Sequence, residues 1–206
     1  MKAVALLSGG LDSTVAFAIR ARDSVLALTI DYGQRAARRE IASARKTAAR
    51  YRVPHRVLRL PWLAGGALTD RSRRLPSPDI ARASDTRKSA AAVWVPNRNG
   101  VFIAAAAALA ESMKASRIVV GFNREEAATF PDNSAQFLDA ANRALRYSTA
   151  NGVAVESPTL RWDKKRIVRE AKRRGIGLED VWPCYEGRRI WCRKCESCLR
   201  ALRAGL

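Results

Sequence analysis

The sequence predicts an α/β fold, a doubly wound parallel sheet with a small C-terminal tail, and three observations carry that prediction. Short apolar runs alternate with helical stretches along most of the chain, a serine- and glycine-rich turn follows the first apolar run, and all four cysteines fall between positions 184 and 198. Strands alternating with helices call for parallel pairing through crossover helices, with both sheet faces covered. At 206 residues and 48% hydrophobic content, the chain can bury one sizeable core but not two independent ones.

Apolar runs at residues 2–7, 24–30 and 54–60 read as the first three strands, separated by helical stretches at 13–21 and 35–51. Residues 61–92 interrupt the pattern: Pro61, Gly65, Gly66, Pro76 and Pro78 punctuate a segment rich in Arg, Ser and Ala. This segment reads as a surface excursion close to where a substrate would be covered. The alanine-rich run at 98–115 is a helix and 117–121 a buried strand. A helix follows at 134–148 with Phe137, Ala141 and Leu145 on one face, then a short strand at 153–156 and an amphipathic helix at 164–174 ended by Gly175. The organisation expected is one α/β domain over residues 1–180 and a four-cysteine tail over 181–206. In such sheets ligands bind beyond the carboxyl ends of the strands, where strand order reverses, which is where the loop after the first strand lies.

That loop is Ser8-Gly9-Gly10-Leu11-Asp12-Ser13. Two consecutive glycines turn tightly and present backbone N–H groups to an anion without Cβ obstruction. The helix that follows adds its unpaired N-terminal amides and the positive end of its dipole, and Ser8, Ser13 and Thr14 add hydroxyls. The spacing is neither that of a Walker loop nor that of the dinucleotide fingerprint. It is similar to the pyrophosphatase loop, Ser-Gly-Gly-x-Asp-Ser, of enzymes that split ATP between its α and β phosphates. The run Leu7, Ser8, Gly9, Gly10, Leu11, Asp12, Ser13, Thr14, Val15, Ala16 and Phe17 is therefore the candidate ATP-binding segment. The plainer reading is a tight turn whose Asp-Ser pair caps a helix.

The cysteines are spaced Cys184-x7-Cys192-x2-Cys195-x2-Cys198. Such a cluster suits Zn²⁺, which takes four thiolates in a tetrahedron that leaves no position for water, so the site would be structural. An iron–sulfur cluster and a pair of disulfides are the competing readings. Zinc would fold a tail too short to bury a core of its own.

The formal net charge is +19, and only eight of the 38 basic residues are lysine. Such a field attracts phosphate-rich partners such as ATP, tRNA or DNA, although arginines that simply decorate solvated helix faces give the same total. No aromatic-rich basic motif of the kind that stacks bases is present. There is no apolar run of about 18 residues and no signal-peptide pattern, so the expectation is a cytoplasmic protein without membrane association. The single histidine, His55, has no nucleophile motif beside it and is assigned no catalytic role.

Taken in order, these motifs resemble the 7-cyano-7-deazaguanine synthase family (QueC-like) of the adenine nucleotide α-hydrolase superfamily, nearly end to end. Besides the loop, the likeness rests on Asp31-Tyr32-Gly33-Gln34-Arg35, Val95-Pro96-Asn97-Arg98-Asn99, Gly121-Phe122-Asn123, Pro131-Asp132, Pro158-Thr159-Leu160 with Lys164, and Trp182-Pro183-Cys184-Tyr185-Glu186-Gly187. The resemblance implies a doubly wound, Rossmann-like fold and an ATP-dependent ligase of queuosine biosynthesis. The carboxylate of 7-carboxy-7-deazaguanine would be adenylated, ammonia would displace AMP to give an amide, and a second ATP would carry the amide to the nitrile. It implies Mg²⁺ at the phosphates, with Asp12, Arg98 and Lys164 as catalytic residues and Gln34, Arg35, Asn99, Asn123, Glu126 and Asp132 as substrate-binding residues. It is also compatible with a homodimer. The segment 121–133 departs from the family pattern Gly-x-Asn-x-x-Asp-x-Ser-Gly-Tyr-Pro-Asp-Cys: Glu126 keeps an acid, but the Ser, Gly, Tyr and Cys are replaced. Two alternatives therefore stay open. One is a related enzyme that adenylates another carboxylate or a macromolecule, such as a tRNA base or a protein C-terminus. The other is a nucleotide-binding subunit of a multiprotein system that senses ATP or deazaguanine without completing the reaction.

Overall fold

The computed structural model describes residues 1–206. Its five strands are β1 (Ala3–Leu6), β2 (Ser24–Asp31), β3 (His55–Arg59), β4 (Arg117–Val119) and β5 (Ala154–Glu156). They form one parallel sheet in the order β3-β2-β1-β4-β5. The helices in chain order are α1 (Leu11–Arg20), α2 (Ala37–Arg50), α3 (Gly66–Thr69), α4 (Ala83–Val93), α5 (Arg98–Ser112), α6 (Arg124–Ala127), α7 (Ala135–Ser148), α8 (Lys164–Arg173) and α9 (Glu196–Arg203). The expected doubly wound sheet is thus observed, and β1 pairs with β2 on one side and β4 on the other, which places the reversal of strand order beside the loop that leaves β1.

Strand periodicity assigns the two faces. Val4 of β1 joins Leu28 and Ile30 of β2 in the larger core, packed under Ile103, Ala106 and Ala107 of α5. Ala3, Ala5 and Leu7 point the other way, onto Phe17 of α1 and Ala44 and Ala48 of α2. Small side chains on α2 and α5 let both helices lie close to the sheet. Because each face is dry, the strands read as nearly unbroken apolar runs. A third apolar seam joins Leu11, Val15 and Ala18 of α1 to Ile167, Val168 and Ala171 of α8. Side-chain caps fix the starts of α7 and α8, as one does for α6: Ser134 Oγ accepts the Phe137 N–H at 3.1 Å, and the Asp163 carboxylate accepts the Arg166 N–H at 2.7 Å.

The segment 61–92 is a surface excursion only in its middle: no residue from 70 to 85 is buried, whereas both ends pack into the molecule. It contains α3 and most of α4; Leu63, Leu68 and Ala90 are buried in the larger core, which Val93 at the end of α4 also joins, and Ala67 is buried as well. Periodicity gives little contrast over α4 because it buries Thr86, Ser89 and Ala90, with Val93 its one larger apolar residue. The tail is also less separate than its composition implies. Glu196 at the start of α9 is 1% exposed and accepts hydrogen bonds from Ser89 Oγ of α4 (2.6 Å) and from Arg200. No helix is long and apolar enough to cross a membrane.

Candidate active site

A cavity of about 270 Å³ opens at the carboxyl ends of β1, β2 and β4, lined by the 8–13 loop together with Glu40, Arg98, Phe122, Lys164 and Tyr185. Its floor is fixed by backbone. Gly9 adopts φ +77°, and a Cβ there would lie 2.4 Å from the Glu40 carbonyl oxygen and 2.9 Å from Ser43 Cβ. Only glycine satisfies both the left-handed conformation and the contact with α2. A Cβ on Gly121 would lie 2.5 Å from the Ser13 nitrogen, so the end of β4 lies against the start of α1. The Ser8 N–H donates to Ser13 Oγ (3.2 Å), Ser13 Oγ donates to the Gly10 carbonyl (3.1 Å), and the two hydroxyls are 2.8 Å apart. Gly10 caps α1 without a side-chain bond, so the first-turn amides stay open to an anion.

Lys164, the first residue of α8, brings the charged groups together. Its ammonium lies 2.5 Å from Asp12 Oδ2 and 3.3 Å from Glu126 Oε1, and its side chain is 8% exposed. Asn123 accepts the Glu125 and Glu126 N–H groups (3.1 and 3.0 Å) to cap α6, which sets Glu126 facing Lys164. Burial pushes the Asp12 carboxyl up against the pull of Lys164. At Glu126 burial is outweighed by Lys164 and then Arg200, so its pKa lies below the ordinary value. Burial of Lys164 is likewise outweighed by Asp12 and Glu126, which raise its pKa. The triad has one loose end: Asp12 Oδ1 is buried and has no hydrogen-bond partner.

The opposite wall is made of side chains. Arg98 at the start of α5 donates to the Tyr32 hydroxyl (3.2 Å) with its guanidinium carbon 5.9 Å from that ring's centre. Gln34 is buried, accepting the Tyr32 N–H (3.0 Å) and donating to the Ile30 carbonyl (3.2 Å) and to Glu40 Oε2 (2.7 Å). Burial raises the Glu40 pKa to about 7, opposed chiefly by the Gln34 hydrogen bond. Asn97, just before α5, sits at φ +51°, a left-handed conformation that asparagine tolerates better than most residues. Asn99 lines the cavity and donates to the Asp132 carbonyl (3.2 Å).

Most of the residues singled out from the sequence converge here. Leu7, Ser8, Gly10, Leu11, Asp12, Ser13, Gln34, Arg98, Asn99, Glu126 and Lys164 all line the cavity. Val15, Ala16 and Phe17 are buried in the packing beneath the loop. Arg35 turns away: it donates to the Asp70 carbonyl (2.8 Å) and the Arg73 carbonyl, and it pairs with Glu186 at 3.6 Å. Asn123 acts through its cap, and the Asp132 side chain accepts from Asn133, which itself lines the cavity. Glu40 carries no local mark in the sequence: it stands alone on α2, six residues after Gln34.

The cysteine sulfurs all lie within 4.8 Å of one another, near the roughly 3.8 Å edge of a tetrahedron with metal–sulfur bonds of about 2.3 Å. Cys184 Sγ accepts the Glu186 and Cys192 N–H groups, each at 3.3 Å, and Cys192 Sγ accepts the Cys195 N–H at 3.3 Å. This donor set can hold a metal ion, and folding it places Trp182 and Tyr185 on the cavity wall.

A family model described as queuosine biosynthesis protein QueC matches residues 2–205. Among curated relatives, the 7-cyano-7-deazaguanine synthase of Desulforamulus reducens is 50% identical, covering 99% of this chain and 93% of the relative. Those of Pelotomaculum thermopropionicum and Methanosarcina barkeri are 48% and 47% identical, covering 99% of this chain and 96% and 93% of their own lengths. Solved structures share the fold at low identity. The U34-tRNA thiolase NcsA of Methanococcus maripaludis has TM-score 0.53 at 14% identity, over 85% of this chain and 57% of the thiolase. The NMN synthetase of Francisella tularensis has TM-score 0.51 at 14% identity, over 95% of this chain and 70% of the synthetase.

Proposed function

From the QueC family of queuosine biosynthesis proteins, to which the chain belongs, we propose that this cavity converts 7-carboxy-7-deazaguanine and ammonia to 7-cyano-7-deazaguanine at the expense of two ATP. The observation that carries the reading is the placement of Lys164, 2.5 Å from Asp12, beside the open amino end of α1. A transferring phosphate there meets backbone donors on one side and a fixed ammonium on the other, the arrangement that stabilises charge developing on phosphoryl oxygens.

In the first step a carboxylate oxygen of the acid attacks the α-phosphorus of ATP, and pyrophosphate leaves toward the 8–13 loop, whose N–H groups and serine hydroxyls receive it. Arg98 faces the carboxylate and then the adenylate. Ammonia attacks the acyl carbon, and AMP leaves with the C–O bonding pair. A second ATP adenylates the amide oxygen, and loss of AMP and a proton leaves the nitrile. Asn99 presents its amide to the deazapurine edge, while Gln34, whose two N–H groups go to the Ile30 carbonyl and Glu40, orients the wall around it. The unpartnered Asp12 Oδ1 fits a hard cation, and Mg²⁺ held there would neutralise phosphate charge. The four sulfurs fit Zn²⁺ with no position left open, which makes that site structural.

Mass spectrometry after incubation with ATP, Mg²⁺, ammonium and 7-carboxy-7-deazaguanine tests the proposal. The nitrile and AMP are expected with the native chain and not with Asp12→Ala. ATP consumption without the nitrile would overturn it. Metal analysis should return about one zinc per chain.

A further inference from the structure

Amide formation from an acyl-adenylate needs a proton acceptor, because nitrogen cannot keep all its hydrogens as it bonds to carbon. Three carboxylates line the cavity, and two of them, Asp12 and Glu126, are committed to Lys164. The sole histidine, His55, bonds to Thr29 (2.8 Å) and does not line the cavity. The phenols of Tyr32 and Tyr185, which do, have pKa values pushed up by burial, so neither ionises readily. Glu40 remains. It makes no ion pair, its Oε2 is held by Gln34 Nε2 at 2.7 Å, and its Oε1 is uncommitted.

We propose that Glu40 is the catalytic base of the ammonia step, its Oε1 accepting a proton from the attacking nitrogen. The assignment rests on the carboxylate-adenylating reading above. As the C–N bond forms, an N–H proton passes to Oε1, the bond from carbon to the adenylate oxygen breaks, and AMP departs with that electron pair. The proton then passes to water at the cavity mouth. Two features set the carboxylate for this role. Its own backbone carbonyl lies against Gly9, so base and phosphate loop share one rigid frame. Gln34 holds Oε2 and leaves Oε1 of this cavity-lining residue without a partner. The groups around it are few: Arg98 from α5 and Asp31 from the end of β2 act on its charge in opposite senses, Tyr32 and Gln34 are neutral, and Lys46 and Arg50 farther along α2 are paired with Asp180. Burial leaves its pKa at about 7, where a group both accepts and returns a proton readily.

Glu40→Gln preserves the Gln34 hydrogen bond through its amide oxygen and removes the proton acceptor. Acid-dependent exchange of pyrophosphate into ATP reports adenylation alone, and nitrile formation with ammonium reports the whole sequence. The variant is expected to keep exchange within about threefold while nitrile formation falls about 10²-fold or more. In the native chain, nitrile formation corrected for free ammonia should decline below about pH 7, a limb absent from the variant. Glu40→Asp, which retains a carboxylate, should recover part of the rate and the limb. Normal nitrile formation by Glu40→Gln, or exchange and nitrile formation lost in equal measure, overturns the assignment. A native chain without acid-dependent exchange overturns the carboxylate reading and the assignment with it.

Discussion

The floor at residues 8–13 and the wall of Tyr32, Gln34, Glu40 and Arg98 face the same cavity but are held by different means. The floor is positioned by backbone: a left-handed glycine pressed on α2, amides at a helix start, a strand end packed close enough to exclude any Cβ. The wall is positioned by side-chain hydrogen bonds among buried polar groups. A floor of the first kind cannot give by a few tenths of an ångström without moving a helix, whereas a wall of the second kind can lose one bond and keep its shape. Under the proposed function, the phosphate chemistry falls on the part held by backbone, and the contacts to the acceptor on the part held by side chains.

The sharpest way to break that comparison is Gly9→Ala. The added methyl meets the Glu40 carbonyl and also demands a left-handed alanine, so pyrophosphate exchange should fall about 10³-fold while circular dichroism shows a folded chain. Retained exchange would mean that the floor is pliable. Next comes Lys164→Met, which leaves Asp12 and Glu126 facing each other without a cation. A loss of about 3 kcal/mol in urea unfolding is expected, with loss of adenylation.

The floor was legible in the sequence because its parts are contiguous: six residues from Ser8 to Ser13 carry the glycines, the acid and the hydroxyls, and no distant partner is needed to see what they do. The four cysteines were legible for the same reason. The wall was only half legible. Tyr32, Gln34 and Arg98 stand in motifs, but Glu40 acquires its character from burial and from Gln34, Arg98 and Asp31, which only the fold assembles. Arg35 shows the converse: one step from Gln34 in the chain, it points out of the site to clamp residues 70–73. The pairing of Ser89 with Glu196 across 107 residues had no local trace, which is why α4 and the tail looked detached from the core.

On the adjustable wall, Tyr32→Phe deletes the hydroxyl that accepts from Arg98. A stability loss of about 1 kcal/mol with a shift in KM for the acid rather than in the exchange rate is expected, and a collapse of exchange would show that this wall is as rigid as the floor. Away from both, Glu170 supplies a reference. Arg173 and Arg174 hold its pKa down at about 2, below the roughly 4.3 of a free glutamate. Its contribution is full above about pH 4.3 and is lost as pH falls toward 2. With Arg173 71% exposed, Glu170→Gln should cost less than about 1 kcal/mol at neutral pH, a difference that vanishes in unfolding curves near pH 2.

The Trp182 N–H donates to the Gly9 carbonyl at 2.7 Å, and Ser43 Oγ bridges that carbonyl to Asp180. A turn made near the start of the chain is thus finished by residues some 170 positions later, themselves seated by the cysteine cluster. During synthesis, residues 8–13 emerge from the ribosome long before 180–198 exist. Until that distant stretch arrives and folds, the nascent chain carries the loop with its last hydrogen bonds unmade, so catalytic competence is among the final things the protein acquires.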